Sequence, residues 1–243
     1  MLDRASLQQF IKRAQTSPLN VIREYCQHLF LSYLYQLPGS ERLLFKGGTA
    51  LRIIFHSPRY SEDLDFTGAR IAQAEVEDLF IDTIANIERT GIPVRIEEGK
   101  NTTGGYLGIV YFRAYDQEIE IRVEISLRVG KLVTGTRKLI ENEYVPAYSI
   151  VHLPQDLLMR GKLDALKARH KPRDFYDYLF MLSGNYPLAE ERDSLVAVLK
   201  LLRETKIDFR SELKQFLPAS HVMHLRDFKK LLAQKILSFL DEK

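Results

Sequence analysis

The chain has 243 residues, 45% of them hydrophobic and 28% charged, which is enough for one large or two small globular domains with a real core. The net formal charge of +3 neither demands a nucleic-acid partner nor excludes one. No apolar run reaches membrane-spanning length, Met1-Leu2-Asp3-Arg4 is polar rather than leader-like, and the single cysteine, Cys26, excludes an internal disulfide framework, so the expectation is a cytoplasmic protein in a reducing compartment.

Apolar periodicity predicts helices over 5–14 and 18–36. The second opens on Ser17-Pro18, a capping residue followed by proline in the first turn, and ends before Leu37-Pro38-Gly39. Cys26 lies in its apolar stretch and reads as packing. Leu43 to Lys46 reads as a short strand, Gly47-Gly48 as a break, Thr49 to Phe55 as a helix and Leu64 to Thr67 as a second strand. A helical period over 72–89 stops at Thr90-Gly91.

The middle of the chain is β-rich, over 94–97, 106–114 and 118–127, with Ala114-Tyr115-Asp116-Gln117 as a hairpin turn. The last of these alternates strictly: Ile119, Ile121, Val123 and Ile125 share one face, while Glu118, Glu120, Arg122, Glu124 and Ser126 share the other. The polar stretch Glu97–Tyr106 reads as a hairpin tip, either a solvated turn or a nucleic-acid contact. From Pro154 the chain is helical to its end, broken at Lys171-Pro172, Asn185-Tyr186-Pro187 and Pro218. The fold expected is α/β (α+β): residues 1–150 hold a mixed-sheet core with N-terminal helices, and residues 151–243 form a helical domain. Near the end, Arg226, Lys229, Lys230 and Lys235 interleave with Phe228, Leu231, Leu232 and Ile236. That amphipathic helix has a basic face, by default solvated and alternatively RNA-facing.

Asp63 and Asp65 stand out in an otherwise apolar segment. Side chains alternate along a strand, so the two carboxylates project together while Leu64 and Phe66 point to the core. Two like charges on one face call for a cation, and Mg²⁺ typically uses one or two carboxylates plus substrate phosphates. Upstream, Gly47-Gly48 permits close approach of backbone to a ligand, the following helix start offers N–H groups to a phosphate, and Thr49 adds a hydroxyl. Strand, Gly-Gly, helix, short loop and Asp-x-Asp together suit nucleoside triphosphate chemistry. Glu124, on the polar face of its strand, is a candidate third carboxylate; the alternative is an ordinary half-exposed strand. Lys46 either touches phosphate or merely ends its strand. The histidines show no ligand spacing, and His221 and His224 lack an acidic or cysteine partner nearby, which argues against zinc.

The blocks Lys46-Gly47-Gly48-Thr49-Ala50-Leu51-Arg52 and Arg59-Tyr60-Ser61-Glu62-Asp63-Leu64-Asp65-Phe66 resemble the AbiEii/AbiGii-type nucleotidyltransferase toxins, including the MenT group, of the DNA polymerase β-like superfamily. A second block, from Gly161 to Leu182, is similar to that family's lysine motif and its downstream Arg-Asp-x-Tyr-Asp motif. The likeness is dense over 45–68 and 160–182 and loose elsewhere. Where the wider superfamily commonly has Gly-Ser, this chain has Gly47-Gly48, so Thr49 or backbone N–H groups stand in for the serine hydroxyl.

The resemblance implies a nucleotidyltransferase core over roughly 40–150, with an active site in the cleft against the helical domain. Asp63, Asp65, Lys162, Asp174 and Asp177 would be catalytic; Lys46, Gly47, Gly48, Thr49, Ser61 and Lys162 would bind the nucleotide; Asp63 and Asp65 would hold Mg²⁺, with Glu124 left as the candidate third ligand from its place on the strand. Either Asp174 or Asp177 is the last acidic motif residue, and Arg169 and Arg173 read equally as phosphate or structural partners. The implied reaction moves a nucleotide from a ribonucleoside triphosphate to RNA, tRNA 3′ ends in particular. The implied setting is a toxin restrained by a cognate antitoxin, with no membrane partner. Transfer to a protein, phosphoryl transfer, and a non-catalytic NTP- or RNA-binding module are the alternatives.

Overall fold

A computed structural model describes residues 2–127 and 133–241; Met1 and the last two residues of the domains expected from sequence, and 128–132 within the first of them, lie outside the described residues. The fold is mixed α/β with a seven-stranded mixed sheet and a helical C-terminal region. The chain groups into two compact units, one of Met1–His56 with Tyr60–Pro154, the other of Ser57–Arg59 with Gln155–Lys243.

The first unit holds helices α1 (Arg4–Ala14), α2 (Pro18–Leu34), α3 (Gly47–Phe55) and α4 (Gln73–Glu88). Its strands are β1 (Leu43–Lys46), β2 (Leu64–Gly68), β3 (Val94–Thr102), β4 (Gly105–Ala114), β5 (Gln117–Ser126), β6 (Thr136–Ile140) and β7 (Tyr148–His152), in the order β3-β4-β5-β2-β1-β7-β6. The β2/β5 and β1/β7 pairs are parallel and the others antiparallel. Ser17 caps α2 by accepting from the Asn20 N–H, and Pro18 sits in its first turn.

Helix α2 is buried on nearly every side and packs with α4, with Phe30 against Phe80 and Phe80 against Tyr106. Beneath lie Phe45, Phe66, Val123 and Ile125, all at most 4% exposed. The alternation read in 118–126 is realised here: Ile119, Ile121, Val123 and Ile125 enter the core and the charged partners face away. Each such side chain contributes about 1.5–3 kcal/mol by burial, so a one-residue register slip would expose the whole set. That penalty fixes the opposite, polar face as firmly as the core face.

Two sequence expectations are corrected, and two strands are added. Helix α3 begins at Gly47 itself, directly on the end of β1, with Lys46 as its extended N-cap. The stretch 97–106 is not a loose tip: β3 runs to Thr102 and β4 starts at Gly105, so only Thr103-Gly104 turn. Its polar residues belong to an edge strand, where charged side chains face water on exposed positions, and a bulge between Ile96 and Glu98 shifts the register. Strands β6 and β7 were not legible; five residues each, they exist through pairing with β1 and each other rather than through pattern. At the Tyr115-Asp116 turn both residues take positive φ, 51° and 64°, as a tight hairpin between β4 and β5 requires.

The second unit is helical, with α5 (Gln155–Arg169), α6 (Pro172–Ser183), α7 (Pro187–Glu190), α8 (Arg192–Glu204), α9 (Phe209–Leu213), α10 (Ala219–Val222) and α11 (Phe228–Asp241). Its core includes Leu166, Phe175, Tyr178, Met181, Leu202, Leu213, Leu232 and Ile236. Phe209 and Phe228 rings lie 4.8 Å apart, and Tyr176 stacks on Phe228. Of the basic residues near the end, Lys229 is spent on structure: its ammonium donates to the Arg203 and Thr205 carbonyls at the end of α8.

Candidate active site

Strand pairing places a row of side chains across the polar face of the first unit's sheet. Lys46 on β1 pairs with Asp65 on β2, Asp65 with Glu124 on β5, Glu124 with Leu107 on β4, and Leu107 with Lys100 on β3. Directly opposed residues share a face and neighbouring strands are about 4.8 Å apart, so Asp65 and Glu124 are immediate neighbours. Phe66 and Ile125, the next residues, are core. The carboxylate pair is therefore set by the same register that buries the aromatic core.

Gly47 meets this row. Its φ is +87°, a left-handed value that suits glycine, and a methyl group there would overlap the Asp65 carboxylate, 2.7 Å from Cγ. The Asp65 carboxylate thus stands against the first residue of α3, at the helix end that carries the first-turn N–H groups and the positive end of its dipole.

The loop before β2 is held from α2. Gln27 Nε2 donates to the carbonyls of Ser61 and Glu62, both at 3.0 Å, and Arg23 pairs with Glu62 at 3.1 Å. Asp63 immediately precedes β2, and its carbonyl accepts from the Thr49 hydroxyl at 2.5 Å. Thr49 is fully buried, so its hydroxyl ties α3 to the aspartate loop. Around the row lies a cavity of about 320 Å³ lined by Lys46, Asp65, Glu124, Ser126 and the β3–β4 tip from Thr102 to Gly105.

The second motif block lies in the second unit. Lys162 on α5 donates to Asp177 on α6 at 2.9 Å, and Arg59 grips the same carboxylate with Nε at 2.8 Å and Nη2 at 3.0 Å. Asp177 is 1% exposed. Burial alone would push its carboxyl up, but the Arg59 and Lys162 charges outweigh that and hold it at about 2. Asp174 is equally buried and does something else: it accepts from the Lys171 N–H at the start of α6 and from Arg169 at 2.6 Å. Geometry thus pairs Lys162 with Asp177 and leaves Asp174 as a helix-capping acid joined to Arg169. Arg59 was not singled out from sequence as a site residue, although it opens the Arg-Tyr-Ser-Glu-Asp-Leu-Asp-Phe block. The neighbouring Tyr60 lies under the Arg52 guanidinium, 3.9 Å from the ring centroid, within the first unit.

Among the described residues no group of three or more His, Cys, Asp or Glu side chains is placed to hold a metal ion. The paired Asp65 and Glu124 side chains have the oxygen donors a hard divalent cation uses, with substrate oxygens and water to complete its shell. Among the described residues, no helix is long and apolar enough to cross a membrane.

Comparisons with known proteins bear on the family and the fold. A family model described as "Nucleotidyl transferase AbiEii toxin, Type IV TA system" matches residues 29–242. No curated protein matches the sequence. Among solved structures, JHP933 from Helicobacter pylori is similar at 18% identity with a TM-score of 0.63, covering 93% of this chain and 94% of that one. MenT4, a nucleotidyltransferase toxin from Mycobacterium tuberculosis H37Rv, is similar at 18% identity with a TM-score of 0.62, covering 99% of this chain and 90% of that one. At that identity the structural likeness speaks for the fold.

Proposed function

Because the chain belongs to the AbiEii nucleotidyltransferase toxin family and is a nucleotidyltransferase, we propose that it transfers a nucleoside monophosphate from an NTP to RNA, with the 3′ end of a tRNA as the acceptor. The family implies an NTP substrate and an antitoxin partner, and enzymes of this superfamily generally use divalent metal ions. Mg²⁺ as the ion, the RNA acceptor and a cytoplasmic setting are our reading.

The observation that carries it is the Asp65–Glu124 pair beside Gly47. A carboxylate and a phosphate compete for the N-terminal end of α3 unless a cation lies between them. Mg²⁺, when bound, would supply positive charge that offsets the charge building on the departing pyrophosphate. Asp65, Glu124 and, from the preceding loop, Asp63 are the residues assigned to hold it. Gly47 and Gly48 let the backbone N–H groups of α3 approach the phosphates. Lys162, steered by Asp177 and Arg59, is assigned to the triphosphate as a point charge. In the reaction the acceptor hydroxyl gives up its proton to water, its oxygen bonds the α-phosphorus, the α–β bridge breaks, and pyrophosphate leaves.

The test is a pair of labels. The protein is incubated with total bacterial RNA, Mg²⁺ and each ribonucleoside triphosphate, labelled at the α or the γ phosphate. The expected result is α-label in a tRNA-sized band with at least one nucleotide, and none from γ-label. Transfer of γ-label would make it a kinase. Label on protein alone would overturn the RNA assignment, and no transfer at all would favour a binding module.

A further inference from the structure

Beside the carboxylate row runs a second row that the reaction described above does not use. Thr67 on β2 pairs with Ser126 on β5, Ser126 with Gly105 on β4, and Gly105 with Thr102 on β3. Thr102, Gly105 and Ser126 line the same cavity as Asp65 and Glu124. Gly105 has no side chain to separate the two hydroxyl-bearing neighbours. A methyl there would run into the Ile125 carbonyl and would stand 3.4 Å from the Thr102 hydroxyl oxygen, which therefore leans over the glycine. The result is a shallow floor with a hydroxyl on each side, two residues along the strand from the carboxylates and on the same face. Its shape is held from outside the cavity. Gln73 Nε2 donates to the Gly105 carbonyl at 3.1 Å, and the Leu127 N–H donates to the Gly104 carbonyl at 2.8 Å.

The chemistry of this floor is neutral and both donating and accepting. No cation is among its own residues: the cavity's Lys46 stands on β1 beyond Asp65, Lys100 is paired with Glu98, and Asp65 and Glu124 beside the floor repel a bare phosphate. A nucleobase would want an aromatic face to stack on, and the wall offers Tyr106 only as a ring 3% exposed and packed on Phe80. A sugar diol fits: its hydroxyls exchange hydrogen bonds with Thr102 and Ser126 while its phosphate side faces the carboxylate row. We propose that Thr102 and Ser126, across the Gly105 floor, form a ribose subsite that reads the 2′-hydroxyl. This rests on the nucleotidyl-transfer reading above. The ribose has two sources, the incoming NTP and the terminal nucleotide of the acceptor, and they share this chemistry.

The test uses the full chain and the double variant Thr102→Val with Ser126→Ala, which keeps side-chain shape close and touches no residue assigned to metal or phosphate. Two measurements are made on each protein with Mg²⁺: calorimetric binding of ATP against dATP, and anisotropy binding of a short oligoribonucleotide against the same strand with a 2′-deoxy 3′ terminus. The parent is expected to prefer the ribo form in one of the two arms, which names the source. The double variant should lose about tenfold of that preference, the effect of one or two net hydrogen bonds, while affinity for the deoxy form holds. Equal losses for ribo and deoxy ligands in the variant, or a parent without preference in either arm, overturn the subsite. Because these are equilibrium readouts, they decide the subsite even if no label transfer is observed, an outcome that would count against the reaction alone. Where transfer is seen, the same preference should appear in KM rather than kcat.

Discussion

The Asp65 carboxylate occupies the space that any side chain at Gly47 would need: a methyl group there would lie 2.7 Å from Asp65 Cγ and 2.8 Å from its Cβ. One residue is a glycine because the other is an aspartate, and because φ at Gly47 is +87°. Gly47→Ala is therefore expected to abolish nucleotide transfer and to lower stability by roughly 1–3 kcal/mol from backbone strain, with the overlap in addition. Adding Asp65→Ala removes the overlapping carboxylate but neither the strain nor the 2.8 Å approach to Cβ. The double variant should melt above Gly47→Ala alone and remain inactive. Additive losses in a melting-temperature cycle would show that the two positions do not meet.

Asp65→Ala alone should remove transfer and leave the melting temperature near the parent's, since Asp65 is a half-buried residue on the polar face. Glu124→Gln keeps the shape and removes one charge beside it. Its Mg²⁺ requirement should rise roughly tenfold, the value of one charge-assisted contact, with full activity approached at high Mg²⁺. A Mg²⁺ titration of initial rates checks this; an unchanged half-saturation point would remove Glu124 from the metal site.

Lys162 and Arg59 share Asp177 but should fail differently. Lys162→Ala leaves the Arg59–Asp177 pair intact, so the fold should hold while triphosphate binding weakens by roughly 1.5–3 kcal/mol and monophosphate binding changes little. Arg59→Ala leaves Asp177, at 1% exposure, with Lys162 alone. Breaking such a buried pair costs about 3–5 kcal/mol, so chemical denaturation should reveal a large stability loss. If calorimetry finds equal losses for tri- and monophosphate in Lys162→Ala, the lysine does not serve the outer phosphates.

His28 makes stability sensitive to mild acid. It is 4% exposed, with Nδ1 within 2.8 Å of the Tyr148 hydroxyl. Burial pushes its imidazole down to about 4, with Glu24 pulling up and Arg52 pushing down. The folded value lies below the ordinary one. Above pH 6.5 the contribution is complete, and it is lost as pH falls from about 6.5 toward 4, because the unfolded chain takes up the proton first. Between pH 7 and pH 5 the parent should lose about 2 kcal/mol from this group. His28→Phe should be less stable at pH 7, having lost the Tyr148 contact, but show a shallower decline in urea midpoints over that range. A decline as steep as the parent's would assign the acid sensitivity elsewhere.

What the sequence by itself determined lies where local chemistry is decisive. The strict alternation in 118–126 specified a strand with one buried face, Ser17-Pro18 specified a helix start, and Tyr115-Asp116 a hairpin. The Gly-Gly and Asp-x-Asp spacing was enough to point at triphosphate chemistry, because close backbone approach and paired carboxylates are needed whatever surrounds them. The tertiary structure decided what depends on partners distant in sequence. Strands β6 and β7 exist only through pairing, so no periodicity announced them. Asp174 and Asp177 are three residues apart and equivalent by pattern. They were told apart by Arg169, five residues before Asp174, and by Arg59, 118 residues before Asp177. Glu124 was one of three glutamates on an alternating face. Only the parallel register of β2 with β5, fixed by burying Phe66 beside Ile125, set Glu124 rather than Glu118 or Glu120 next to Asp65. A side chain's neighbours across a sheet follow from how the strands dock, and docking is governed by the core they bury together.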